Sequence, residues 1–137
     1  MTDKYLLDTN IVTAILKKDH QVFNRLQVKL AANAHILISA VVYYEIKRGL
    51  LKRNAVHQLA VFEEMVRSLE WADVERSHWE TAAILWAECQ KAGVAINDAD
   101  LLLAAQARQA QAVLVTDDAD FSRLDVLREN WIVRPQA

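Results

Sequence analysis

The run Ile36-Leu37-Ile38-Ser39-Ala40-Val41-Val42 constrains this chain more than any other segment. It is apolar and β-branched almost throughout, not at alternate positions. A strand built from it must be covered on both faces, as in a parallel sheet between helical layers. Tyr5-Leu6-Leu7 and Ala112-Val113-Leu114-Val115-Thr116 are shorter runs of the same kind. The segments between carry helical periodicity. Ile11, Ile15 and Leu16 share one face of a helix beginning at Ile11, with Thr9 or Asn10 as its cap. Phe23, Leu26 and Leu30 point inward from a helix over 22–33. Further helices are expected over 43–48, over 56–69, from a Ser77 cap to residue 92, and over 101–111 with Asp98 as N-cap. Gly93 fits the position just past a helix end. Residues 71–74 and 131–133 read as short strands, and 121–127 as a short helix.

Strands alternating with helices predict an α/β fold with a mainly parallel sheet. All 137 residues make one domain-sized unit. With only two glycines and one proline, a turn-rich β-sandwich is excluded. A hydrophobic fraction of 53% beside 25% charged residues excludes a disordered chain. No apolar run is long enough to span a membrane, and the first residues lack the pattern of a secretory signal. Cys89 is the only cysteine, so no internal disulfide forms and a reducing, cytoplasmic setting is expected, with Cys89 as a packing residue.

The apolar runs end on acids. Tyr5-Leu6-Leu7 stops at Asp8. Thr116 is followed by Asp117, Asp118 and Asp120. Glu45 lies about one helical turn after the Ile36 run, between Tyr44 and Ile46. In open parallel sheets, ligands bind outside the carboxyl ends of the strands, so these acids are expected at one end of the molecule. Gathered carboxylates repel and need compensation, for which a divalent cation is the usual agent. An all-oxygen donor set favours Mg²⁺, with Mn²⁺ as a substitute, and such an ion suits phosphodiester hydrolysis. Taken singly, Asp98, Asp118 and Asp120 also have a local reading as caps or turn residues.

Charge is distributed unevenly behind a net of −2. Through Arg53 there are nine lysines and arginines against four acids, a net of +5, and the remainder carries −7. A basic first third can accept a polyanion while the whole chain stays near neutral; solvated helix faces of differing charge explain the pattern equally well.

Four segments together resemble the PIN-domain ribonucleases, most closely the VapC-type toxins of bacterial toxin–antitoxin pairs. They are Asp8-Thr9-Asn10, the stretch Ser39 to Gly49 containing Glu45, Asn97-Asp98-Ala99-Asp100-Leu101, and Thr116-Asp117-Asp118-Ala119-Asp120. The resemblance covers nearly the whole chain in order, and it implies a PIN-like three-layer α/β/α sandwich. It also implies that Asp8, Glu45 and Asp100 hold metal, with Asp118 as the fourth acid, ahead of its neighbours Asp117 and Asp120. Asp98 departs from a four-acid pattern and reads as a cap. Thr9, Asn10 and Ser39 would orient carboxylates or waters. The implied activity is Mg²⁺-dependent endonucleolytic cleavage of RNA. Lys17, Lys18, Lys47, Arg48, Lys52 and Arg53 would contact phosphate. A homodimer and a cognate antitoxin that blocks the acidic cleft are implied as well.

Other chemistries lack their residues. The four histidines share no metal-like spacing, there is no glycine-rich phosphate loop, and Ser39 lacks a nucleophile-elbow context. Trp71, Trp79, Trp86 and Trp131 read as core or dimer-contact residues. A phosphoaspartate-based phosphatase would need a second Asp where Asn10 stands. A receiver-like signalling domain would need an acidic pair at the first strand and has no role for Glu45. A PIN domain degenerated into a binding module would have lost acids that are all present here.

Overall fold

The computed structural model describes residues 3–135. Its elements run β1 (Lys4–Leu7), α1 (Thr9–Leu16), α2 (His20–Ala31), β2 (His35–Ser39), α3 (Ala40–Lys52), α4 (Val56–Arg67), β3 (Glu70–Ala72), α5 (Arg76–Lys91), α6 (Asp98–Ala110), β4 (Val113–Val115), a 3-10 helix (Ala119–Arg123) and β5 (Arg128–Glu129). The five strands form one parallel sheet in the order β3-β2-β1-β4-β5. Right-handed crossovers then dictate the layers. Two successive connections step from β1 to β2 and on to β3, so α1–α4 lie on one face and pack on one another. The connection from β3 steps back across to β4, so α5 and α6 pack together on the other face. The sheet is thus the middle of a three-layer sandwich, as expected. Its direction of winding reverses between β1 and β4, and that reversal opens a crevice at their carboxyl ends.

Burial explains the arrangement. Leu6 and Leu7 of β1, Ile36 and Ile38 of β2, and Leu114 and Val115 of β4 are all buried. Seven consecutive residues of α6, Leu101 to Ala107, are buried too. A helix buried all round must be covered on several sides, and the alanines among these residues let α5 and the sheet approach closely. Among the described residues, no helix is long and apolar enough to cross a membrane.

Several boundaries differ from the expected ones. The apolar run from Ile36 leaves the sheet at Ser39, because the Ser39 hydroxyl accepts the Val41 N–H and starts α3 there. Val41 and Val42 are therefore helical, and Val42 is buried on the inner face. Asp8, not Thr9 or Asn10, caps α1. Asn97, not Asp98, caps α6. α5 begins at Arg76, where the Glu75 N–H donates to His78 Nδ1, while the Ser77 hydroxyl reaches Gln109 instead. Residues 131–133 form no strand, since β5 is the charged pair Arg128–Glu129 and the Asn130 side chain turns the chain by accepting the Ile132 N–H. The short helix over 121–127 is a 3-10 helix that has ended by Arg123. Gly93 does end α5, at φ +71°, with the Val94 and Gly93 amides donating back to Cys89 and Gln90. Cys89 itself is buried.

One polar group sits deep in this apolar frame. Gln106 on α6 is 3% exposed. Its Oε1 accepts the Ser39 hydroxyl at 2.6 Å, and its Nε2 donates to the Ala72 and Asp73 carbonyls at 3.1 Å each. The amide therefore ties α6 to the start of α3 and the end of β3. Gln106→Leu removes every one of those contacts and strands the buried Ser39 hydroxyl and two part-buried carbonyls. A loss of about 2–4 kcal/mol is expected in urea unfolding with an unchanged slope; a loss under about 0.5 kcal/mol would show that the network stabilises nothing.

Candidate active site

The site grows from two strand ends. The Asp8 N–H continues the ladder by donating to the Val115 carbonyl at 2.9 Å, so the chain leaves β1 beside the end of β4. Asp8 then turns to cap α1, its Oδ1 accepting the Thr9 N–H at 2.7 Å. Its Oδ2 accepts the Thr116 hydroxyl at 2.7 Å and the Asn10 side-chain amide at 3.3 Å. Asp8 is only 5% exposed. Burial raises its pKa, the Thr116 hydroxyl and the Thr9 N–H oppose that rise, and the charges of Asp118 and Glu45 add to it.

The other acids arrive from different elements. Asp118 follows β4 and caps the 3-10 helix by accepting the Asp120 N–H at 2.9 Å. Its own N–H donates to the Thr116 hydroxyl at 3.0 Å. Glu45 lies on α3, where its Oε1 accepts the Thr9 hydroxyl at 3.1 Å. Asp100 lies in the first turn of α6, where the Asn97 side chain accepts its N–H and donates to its Oδ2. Burial, followed by the charges of Asp8, Asp118 and Glu45, pushes Asp100 up to about 6. The four acids thus lie within one another's field, at the carboxyl ends of β1 and β4.

Asp117 and Asp120 stand apart. The Asp117 carboxylate is held by the Arg134 guanidinium through both oxygens and by the Asn130 amide at 2.8 Å. Those partners draw its pKa down to about 2. Asp120 is exposed, and so is Asp98, beside Trp79 and Trp86 at the start of α6. Ser39 touches none of the four acids; its hydroxyl serves Gln106 and the α3 cap. Asn10 also accepts the Asp117 N–H at 3.1 Å, filling the place where a phosphoaspartate enzyme carries its second acid.

A groove of about 540 Å³ lies between α1 and α3, lined by Thr9, Thr13, Lys17 and Arg53 and reaching one of the four acids, Glu45. The other basic candidates lie elsewhere. Lys47 is paired with Glu63 at 3.2 Å and with the Tyr43 hydroxyl at 3.0 Å, and Arg48 covers the Tyr44 ring at 4.9 Å. Lys18 and Lys52 are exposed at the ends of α1 and α3. A larger cavity, about 630 Å³ against Lys4 and Gln111, contains none of the four acids.

Thr116 and Asn97 escaped the reading of the sequence. Each carried a faint signal: Thr116 is a polar residue closing an apolar run just before three acids, and Asn97 stands at cap spacing before Asp100. The donor set, carboxylates backed by hydroxyl and amide groups, suits a hard divalent cation. Among the described residues, no three acidic, histidine or cysteine side chains form a ready-made cage. Mg²⁺ is usually held by one or two carboxylates with several waters retained, so the open arrangement is compatible with it.

Asp100 holds its proton more tightly in the folded, metal-free protein than in the unfolded chain. That contribution is fully present below about pH 4 and is lost as pH rises through about 6. In EDTA at pH 7.5, Asp100→Asn is therefore expected to be more stable than wild type by about 1 kcal/mol, a figure already discounted for solvent screening. Urea unfolding should show the gap closing at pH 4; a gap equal at both pH values refutes the electrostatic account.

Comparison with known proteins shows the family. The sequence model of the PIN domain matches residues 5–127. A Rickettsia felis protein named Ribonuclease VapC2 is 34% identical over 131 residues, covering 93% of this chain and 97% of the relative. A Haemophilus influenzae protein, also named Ribonuclease VapC2, is 31% identical over 135 residues, covering 94% and 98%. Among solved structures, VapBC2 from Rickettsia felis bound to a DNA fragment from their promoter superposes with a TM-score of 0.86, at 30% identity and over 94% of this chain and 99% of that one. The chain belongs to the PIN-domain family, in its VapC branch.

Proposed function

We propose that this protein is a divalent-metal-dependent endoribonuclease and the toxin of a toxin–antitoxin pair. The observation that carries the reading is the convergence of Asp8, Glu45, Asp100 and Asp118, with Asp100 pushed to about 6 by burial and by the other three. Such a cluster is stable when ionised only if a cation compensates it. When bound, Mg²⁺ supplies charge neutralisation at the phosphodiester and makes water a better nucleophile. Asp8, Glu45, Asp100 and Asp118 are the groups to hold it. Thr9, Asn10, Asn97 and Thr116 hold the carboxylates by donating to one oxygen or the other. Lys17 and Arg53 draw an RNA backbone along the groove toward Glu45.

The antitoxin is inferred from the Rickettsia felis relative, solved as VapBC2. Its site on this chain is the acidic crevice, where a basic side chain would offset the same charge that Mg²⁺ offsets. A second copy of this chain is the other expected partner. Trp79 and Trp86 share one face of α5 and are each about half exposed, an apolar surface suited to pairing. The reading places the protein in the cytoplasm, with its RNA substrate.

Purified protein is expected to cut structured RNA in Mg²⁺ or Mn²⁺ and to stop in EDTA. Asp8→Asn should lower cleavage by about 100-fold or more while circular dichroism stays unchanged. Equal cleavage in EDTA, or wild-type rates from Asp8→Asn, would sink the metal-dependent mechanism.

A further inference from the structure

β5 and the segment that follows it are each tied to the loop after β4, which carries Asp118 into the acidic crevice. The Glu129 carbonyl accepts the Thr116 N–H at 2.9 Å. Five residues on, Arg134 grips both oxygens of Asp117, joined by the Asn130 amide. Trp131 fixes the stretch between. It is fully buried against Tyr5, its indole N–H donates to Glu129 at 3.0 Å, and Arg25 lies over its ring at 5.8 Å.

Asp117 sits between two residues of the crevice. On one side is Thr116, whose hydroxyl bonds Asp8; on the other is Asp118. The Asp117 N–H holds Asn10 Oδ1 at 3.1 Å, and Asn10 in turn donates to Asp8. The direction taken by the Asp117 side chain therefore decides how the amides of Asp117 and Asp118 meet Asn10 and Thr116. Left alone, a fifth carboxylate at this point would either be drawn onto a cation in the crevice or be repelled by the four acids, and both would rotate the loop. Arg134 removes the choice. A guanidinium bidentate to a carboxylate fixes direction as well as charge.

We propose that Arg134, seconded by Asn130, is a positioning residue: by holding Asp117 away from the crevice it sets Asn10 and Asp118 against Asp8. The proposal rests on the ribonuclease reading for its activity readout alone. Arg134 acts through Asp117 and is not itself placed on RNA or metal.

The test uses the full-length protein and four variants: Arg134→Ala, Arg134→Lys, Asp117→Asn, and Arg134→Ala combined with Asp117→Asn. Because Arg134 is 65% exposed, Arg134→Ala should leave thermal unfolding nearly unchanged. It should lower kcat for RNA about 10-fold with KM unchanged, and weaken Mn²⁺ binding, read by calorimetry without RNA, by a similar factor. Arg134→Lys, which keeps the charge but loses the fork, should recover part of both effects. Asp117→Asn in the Arg134→Ala background should recover most of both, because the charge that needed holding is gone. Side-chain amide signals of Asn10 in the metal-free protein should shift in Arg134→Ala and return in the double variant. Wild-type Mn²⁺ affinity and unmoved Asn10 signals in Arg134→Ala overturn the proposal, as does a change confined to KM, which would make Arg134 an RNA contact. If Arg134→Ala does not fold, Arg134→Lys and Asp117→Asn decide the matter through the same two readouts. A wild-type protein that cuts no RNA overturns the ribonuclease reading alone, since Mn²⁺ binding and the amide signals still report on the clamp.

Discussion

Mutual repulsion among carboxylates at one end of a parallel sheet is the constraint around which the rest of this structure is arranged. Four elements deliver acids to the same crevice, and burial together with the charges of the other three lifts Asp100 to about 6. A fold can tolerate this only where the scaffold is rigid and each carboxylate has donors. Rigidity comes from the apolar strands beneath, buried on both faces. Donors come from residues that also begin helices, cap them or follow strands, such as Thr9, Asn97 and Thr116. Secondary-structure termination and site construction are thus one device. The turn that ends β1 is the turn that presents Asp8.

Much of this was legible in the residues. Apolar runs of β-branched side chains are rarely anything but buried strands, and an acid directly after one has few structural excuses. That logic reaches Asp8 and the three acids after Thr116 without knowledge of the fold. The parallel order followed from strands alternating with helices. What failed was local. Val41 and Val42 favour a strand by type, yet one hydroxyl at Ser39 starts a helix ahead of them. Of four tryptophans read as core or dimer-contact residues, Trp131 is fully buried while Trp71, Trp79 and Trp86 lie about half exposed, and residue type alone does not sort them. Side-chain chemistry gives a tendency to be buried, and only the helix's rotation decides the face.

Long-range partners were the other blind spot. Nothing near Asp117 distinguishes it from Asp118. The difference is Arg134, 17 residues away, which takes one carboxylate out of the cluster and leaves its neighbour in it. Lys47 was a reasonable phosphate contact until Glu63, on the next helix, claimed it. Pairings of this kind depend on how α3 meets α4, or on where the segment after β5 ends, and pattern along the chain carries neither.

The Thr116 hydroxyl has a single hydrogen. It goes to Asp8 Oδ2, because the oxygen's other partner, the Asp118 N–H, is itself a donor. Asp8 Oδ1 likewise faces an N–H, that of Thr9. Both oxygens of Asp8 are thus met by hydrogens, which favour its ionised form. Burial opposes them by favouring a neutral Asp8. On Asp100 one side-chain donor, the Asn97 amide at Oδ2, opposes burial and the three neighbouring charges. The two acids of one crevice thus differ in how many hydrogens face them: Asp8 is met by three donors, whereas Asp100 leaves more of its charge to be compensated from outside.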